Sequence, residues 1–246
     1  MTAIDLNADL GEGGPADTEL MEIVSSCSIA CGGHAGDAGS MSTALRLARQ
    51  HGVAAGAHPS YPDREGFGRR SGFLAGPKLQ AALHDQVRQL SSIAGEQGVS
   101  LRHLKPHGAL YHDANNDAAQ AAIIVALAAE FSLALVGPPD GELRDVAANA
   151  GVGYVAEGFA DRAYGSDGRL VPRSEAGAVF STPEQSVRQA LSLALHQATR
   201  AANGDELSLR VDTLCVHGDT PDAVALASAV RAALIEHGVS IRAFEA

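Results

Sequence analysis

The chain has 246 residues, with 18 Lys plus Arg against 29 Asp plus Glu and a formal net charge of -11. That balance excludes a nucleic-acid reader, which needs a basic face to displace counterions from phosphates. A composition 46% hydrophobic and 19% charged excludes a disordered chain, and the longest apolar run, 121–129, is far too short to span a bilayer.

Strand-like runs fall at 4–9, 26–31, 53–57, 101–105, 133–136, 153–157 and 211–216, with a weaker eighth at 240–243. Helical periodicity fills the spaces between them, most clearly at 41–50, 77–96, 117–130, 183–202 and 222–237. Ser181-Thr182-Pro183-Glu184 and Thr220-Pro221-Asp222 offer an N-cap hydroxyl followed by proline in the first turn. Strands alternating with helices from end to end predict a parallel α/β architecture. At this length a single β/α barrel domain over 1–246 is expected, irregular and seven- or eight-stranded. The three cysteines, Cys27, Cys31 and Cys215, are an odd number with no ligand spacing for structural zinc, which fits a reducing cytoplasm. Residues 1–5 lack a basic region leading into an apolar one, so no signal peptide is expected.

The loops after strands are long and rich in Gly, His, Asp and Arg, at 11–18, 32–40, 58–76, 106–116 and 159–182, whereas the returns at 51–52 and 151–152 are short. In a parallel barrel the loops at the carboxyl ends of the strands form the active face. Side-chain alternation sharpens this. Ile4, Leu6 and Ala8 share one parity while Asp5, Asn7 and Asp9 share the other, and His103, Lys105 and His107 share a parity that grows polar toward the mouth. Polar groups inside a barrel are costly unless paired or in contact with ligand, so these rows mark a site.

Five clusters end strands: Asn7-Ala8-Asp9-Leu10-Gly11-Glu12, Ala30-Cys31-Gly32-Gly33-His34-Ala35-Gly36-Asp37, Gly56-Ala57-His58-Pro59-Ser60-Tyr61-Pro62-Asp63, Lys105-Pro106-His107-Gly108-Ala109-Leu110-Tyr111 and Cys215-Val216-His217-Gly218-Asp219-Thr220. Four of them bring a histidine to the same face, where imidazole transfers protons or ligates a metal. His51, His84, His196 and His237 read instead as helix residues or caps, His112 as a loop surface group, and His103 as a barrel residue below the mouth. Gly66-Phe67-Gly68-Arg69-Arg70 and the segment holding Asp161, Arg162 and Arg173 place guanidinium groups on the active face, suited to a small carboxylate or phosphate. No Gly-x-x-x-x-Gly-Lys-Ser/Thr loop and no Rossmann fingerprint is present.

These clusters, with Phe159-Ala160-Asp161-Arg162 and Leu170-Val171-Pro172-Arg173, resemble in the same order the LamB/YcsF family of 5-oxoprolinase A subunits. Ala8 and Gly33 depart from it, standing where a cysteine and a bulkier residue are expected. The resemblance implies a barrel similar to the glycoside hydrolase/deacetylase superfamily. It also implies a complex with subunits B and C that hydrolyses 5-oxo-L-proline to L-glutamate with ATP, and Mg2+, as co-substrate. On that basis Arg69, Arg70 or Arg162 is expected to hold the substrate carboxylate, with Glu12, Glu157, Asp161 and Arg173 as further substrate contacts. Asp9, His58 or His107 would deprotonate water, Lys105 stabilise developing negative charge, and His34 or His217 protonate the ring nitrogen. Two other readings fit the same residues: a stand-alone metal-dependent amide or acetyl hydrolase with Asp9, His58 and His107 on a divalent ion, and a non-catalytic regulatory or substrate-binding subunit.

Overall fold

A computed structural model describes residues 2–218 and 222–245 of the chain. The first half runs β1 (Ala3–Leu10), α1 (Asp17–Met21), β2 (Ser26–Ala30), α2 (Ala38–His51), β3 (Ala54–His58), α3 (Gly76–Glu96), β4 (His103–Leu104), α4 (Ala109–Asn116) and α5 (Ala118–Glu130). The second half runs β5 (Ala134–Gly137), α6 (Glu142–Ala150), β6 (Tyr154–Phe159), α7 (Pro183–His196), β7 (Ala198–Arg200), β8 (Glu206–Ser208), β9 (Thr213–Val216), α8 (Ala223–Glu236) and β10 (Ser240–Ile241). Strands β1 to β6 and β9 pair in parallel and close where β9 returns to β1, with Asn7 opposite Cys215. The barrel is therefore seven-stranded. The weak eighth run becomes β10, which pairs only with the base of β1, Ala3 opposite Ser240.

The expected helix at 183–202 ends early. Gln197 turns left-handed, and 198–208 forms the antiparallel β7/β8 hairpin. A turn through Asn203, Gly204 and Asp205 and a Thr199 hydroxyl bond to Gln189 favour the hairpin over helix continuation. Helix α4 lies inside 106–116, which reads as a loop, and α1, at 5 residues, and α6, at 9, are too short to stand out. Thr182 takes the N-cap of α7 with Pro183 behind it, but its hydroxyl meets Gln185 Oε1 rather than backbone. The second start signal at Thr220 and Pro221, and Asp219 of the last motif, lie outside the described residues.

Barrel parity is as the alternation predicts. Ile4, Leu6 and Ala8 join the apolar layer beneath the helices, while the opposite row builds a hydrogen-bonded column up the axis. Ser26 donates to Asp5 at 2.7 Å, Thr213 to Asp5, and Asn7 Nδ2 to Thr213 at 2.7 Å and Glu157 at 3.0 Å. Above them Lys105 Nζ meets Glu157 at 2.7 Å and Asp9 at 2.9 Å. Mutual satisfaction of these groups offsets the cost of taking them out of water.

His103 lies low in the barrel, against Ser28 Oγ at 3.2 Å and edge-on to Phe244. Burial, with Lys105 and His58 above it, pushes its pKa down to about 3. The folded protein keeps this ring neutral while the unfolded chain protonates it below about 6.5, so stability falls as pH drops from there toward 3. The expected slope is about 1.4 kcal/mol per pH unit below about pH 6. Denaturant titrations of His103→Gln alongside the parent check it, because the variant should lack that share of the slope.

Candidate functional site

A cavity of about 670 Å³ opens at the carboxyl ends of the strands. A larger one, about 1240 Å³, opens at the opposite end, but its charged lining residues are only Arg49, Arg102 and Glu245, with no cluster of catalytic types. The chemistry lies in the first.

At its floor Lys105 is buried between carboxylates, 2.9 and 3.2 Å from the two Asp9 oxygens and 2.7 Å from Glu157, with Asn7 Oδ1 and Cys215 Sγ at 3.4 Å. Burial alone would lower its pKa, yet Asp9, Cys215 and Glu157 outweigh burial and hold it charged. Asp9 mirrors it: burial would raise its carboxyl, but His58 and Lys105 keep it well below the usual range.

Beside this pair three imidazoles surround Glu12. His34 Nε2 lies 2.9 Å, His107 Nδ1 3.3 Å and His58 Nε2 3.9 Å from Glu12 Oε1. His58 Nε2 is also 3.3 Å from Asp9 and 2.9 Å from His107 Nδ1. The His34 and His107 rings stack at 3.5 Å, 2° from parallel. Burial lowers His34 to about 4 and also lowers His107; for His58, Asp9 overcomes burial and raises it. Backbone geometry fixes the rings. Phe67, at φ 51, and Gly68, at φ 65, turn the Phe67 carbonyl onto His107 Nε2 at 3.1 Å. A Cβ on Gly68 would press on His34 and His107, and one on Gly108 would meet the Gly68 carbonyl at 2.7 Å. A non-glycine residue with positive φ at such a place stores strain in the service of a site.

On the far wall Asp161 is buried and accepts from His217 twice, from Nδ1 and from the backbone N–H, each at 2.9 Å. Burial would raise this carboxyl, but His217 outweighs it and lowers the pKa. His217 stacks on Phe159 with its Nε2 left to the cavity that it lines. Arg162 braces the 159–182 segment through Val171 O at 2.7 Å and Ala178 O at 3.2 Å, and burial pulls its pKa down to about 10. Arg69, Arg169 and Arg173 join it around the rim.

Residues 4–246 match the LamB/YcsF family model. The chain belongs to that family. It is 45% identical to the 5-oxoprolinase A subunit of Chloroflexus aggregans, covering 98% of this chain and 99% of that one. It is 43% identical to the 5-oxoprolinase A subunit of Thermus thermophilus, over 98% and 99%. The solved lactam utilization protein from Thermus thermophilus superposes with a TM-score of 0.91 at 42% identity, covering 98% of this chain and 100% of that one. A family 4 carbohydrate esterase from Streptomyces lividans, at 12% identity and a TM-score of 0.57 over 99% and 93%, shares the fold.

Of the candidate residues in this LamB/YcsF chain, Asp9, Glu12, His58, Lys105, His107, His217, Arg69, Arg162 and Arg173 line the cavity. Four do not. Arg70 pairs with Asp63 at 2.8 Å and Glu65 at 3.4 Å outside it. Glu157 lies beneath Lys105, Asp161 behind His217, and His34 behind Glu12, so these three hold neighbours rather than reach a substrate. Tyr111, Phe159 and His112 also line the cavity; the first two stand in quoted motifs without being expected to act, and His112 stands in none. His112 sits on α4 rather than on a loop, so only recognition of that helix could have turned it inward. The glycine at 33 is matched to its surroundings: a Cβ would collide with Ser60 Oγ and the Gln86 amide, which itself bonds the Ser60 backbone at 2.8 and 3.0 Å. Gly33→Val is expected to cost about 1–3 kcal/mol by overpacking, measured as a drop in thermal midpoint.

Proposed function

We propose that this chain is the lactam-handling subunit of an ATP-dependent 5-oxoprolinase, which opens 5-oxo-L-proline to L-glutamate in a complex with subunits B and C while ATP becomes ADP and phosphate. The observation that carries the reading is the charge layout of the cavity: a rim of Arg69, Arg162, Arg169 and Arg173 over a floor of Asp9, Glu12, His58 and His107. A small cyclic amide bearing a carboxylate meets both halves, its anion at the rim and its carbonyl carbon over the floor. The names of the full-length relatives support the same substrate.

A five-membered lactam is a resonance-stabilised amide, and ATP drives its opening by activating the carbonyl oxygen as a leaving group. With no phosphate loop in this chain, ATP and Mg2+ fall to the partner subunits or to a non-standard site. Asp9, fixed by Lys105, and the His58/His107 pair are placed to accept a proton from attacking water, and His217 to deliver one to the ring nitrogen. Lys105 already serves two carboxylates, so its part is to hold Asp9 charged and aimed. No helix among the described residues is long and apolar enough to cross a membrane, and the free, buried Cys27, Cys31 and Cys215 suit a reducing cytoplasm.

The test is reconstitution with subunits B and C, following glutamate and ADP release from 5-oxo-L-proline and ATP. Release should depend on this chain; turnover of equal rate without it overturns the reading. His107→Ala should abolish turnover in the same assay while the circular dichroism spectrum stays that of the parent. Near-normal rates would remove His107 from the mechanism.

A further inference from the structure

The tautomers of His58 and His107 are fixed by what stands behind each ring. His58 Nδ1 faces the Lys105 carbonyl at 2.7 Å and His107 Nε2 faces the Phe67 carbonyl at 3.1 Å. A carbonyl oxygen only accepts, so both of those nitrogens carry their proton. In the neutral rings the other two nitrogens, His58 Nε2 and His107 Nδ1, are then bare lone pairs, and they point at each other across 2.9 Å. Two acceptors do not stay at that separation unless something positive lies between them or beside both.

A single proton would relieve that one contact. Glu12 Oε1 converges on the same point, 3.3 Å from His107 Nδ1 and 3.9 Å from His58 Nε2, and the three atoms lie within 4.8 Å of one another. We propose that Glu12 Oε1, His58 Nε2 and His107 Nδ1 hold one divalent first-row transition cation of the Zn2+ class, with His34 Nε2 donating to Glu12 Oε1 at 2.9 Å from outside the set. Two donors about 2.1 Å from an ion are about 3.4 Å apart at the tetrahedral angle and about 3.0 Å apart at a right angle, close to the 3.3 Å and 2.9 Å spacings of this cluster. Imidazole nitrogens with one carboxylate favour such an ion over Mg2+ or Ca2+, which prefer all-oxygen shells. The two carbonyls behind His58 and His107 are the outer partners that metal-binding imidazoles ordinarily have, fixing tautomer and ring plane.

Asp9 is excluded from the ligand set. Lys105 occupies both of its oxygens, and the same ammonium lies 3.4 Å from Cys215 Sγ, which also disqualifies the neighbouring group of Asp9, Cys215 and His217. Glu12, His58 and His107 all line the cavity, so an ion there keeps an open side toward the substrate and would supply a Lewis acid or an activated water; with their lone pairs on the ion, His58 and His107 would hold it, and taking the proton would fall to Asp9. The proposal rests on ring geometry and stands whether or not the substrate is 5-oxo-L-proline.

The full chain, stripped with a chelator and dialysed, should take up one equivalent of Zn2+ by calorimetry, and one of Co2+ with visible d–d absorption of a nitrogen-bearing site. Glu12→Gln and His107→Gln should each weaken Zn2+ binding by at least about tenfold and alter the Co2+ spectrum. Asp9→Asn should bind as the parent does. Circular dichroism and thermal melts of the stripped proteins separate ligand loss from misfolding, and raised melting temperature on adding Zn2+ to the parent but not to the Glu12 variant gives a second readout. Absence of stoichiometric binding by the folded parent would mean that a proton fills the gap, and overturns the proposal. Binding lost in Asp9→Asn but kept in Glu12→Gln overturns it as well.

Discussion

Lys105→Met is expected to inactivate the reconstituted enzyme and to cost about 3–5 kcal/mol of folding stability, the toll of leaving buried charges without their partner. The Lys105 ammonium lies 2.9 Å from Asp9 and 2.7 Å from Glu157, and all three groups lie in the barrel interior. Methionine fills the volume of the stem but strands two carboxylates about an axis already occupied by Asp5 below. Relief must then come from protonation, and a protonated Asp9 can no longer take a proton from water. The loss should therefore be cured in part by removing the stranded charges: Asp9→Asn and Glu157→Gln added to Lys105→Met should recover most of the stability without recovering any turnover. Urea midpoints of the three proteins decide the matter. If the single variant is as stable as the parent, the ammonium does not stabilise the column and its carboxylates are neutralised by something else.

The barrel itself was legible because its signal is periodic. Alternation in 4–9 and 101–105 placed Asp5, Asn7, Asp9, His103 and Lys105 inside, where they are found. What alternation cannot supply is which inward group meets which, since Glu12, His34, His58 and His107 come from four different loops and strand ends and converge only through closure of the barrel. The direction of backbone carbonyls is equally hidden: Gly66-Phe67-Gly68-Arg69-Arg70 reads as an anion-handling loop, yet its Phe67 carbonyl fixes His107 while Arg70 turns away to Asp63. Charge type misled for Glu157 and Asp161 in the same manner. Each looks like a ligand contact on an active-face segment, and each instead lies one layer back, holding Lys105 and His217. Residues that act through a neighbour carry the same letters as residues that touch a substrate, and only packing tells them apart.

Asp161→Asn is expected to lower the turnover number of the reconstituted enzyme by about 10²–10⁴-fold while leaving the melting temperature close to that of the parent. Asp161 accepts from His217 Nδ1 and from the His217 backbone N–H, so the carboxylate selects the tautomer whose Nε2 is bare toward the cavity. Asparagine has nearly the same shape, but its oxygen is drawn to the backbone N–H, leaving an amide N–H to face Nδ1. That reverses the ring: Nδ1 becomes the acceptor and Nε2 carries the proton outward. An imidazole in that state cannot be loaded with a proton at Nε2, and the imidazolium that would deliver one to the ring nitrogen loses its counter-charge. A positioning role of this kind shows in the turnover number and leaves KM for 5-oxo-L-proline within a few-fold. His217→Gln should match it, and combining the two should add little, because both remove one proton-transfer unit. If Asp161→Asn turns over at the parent rate while His217→Gln is inactive, the carboxylate only braces the loop. If both are active, proton delivery to the ring nitrogen belongs to another group, and His112, across the cavity on α4, is the next to replace.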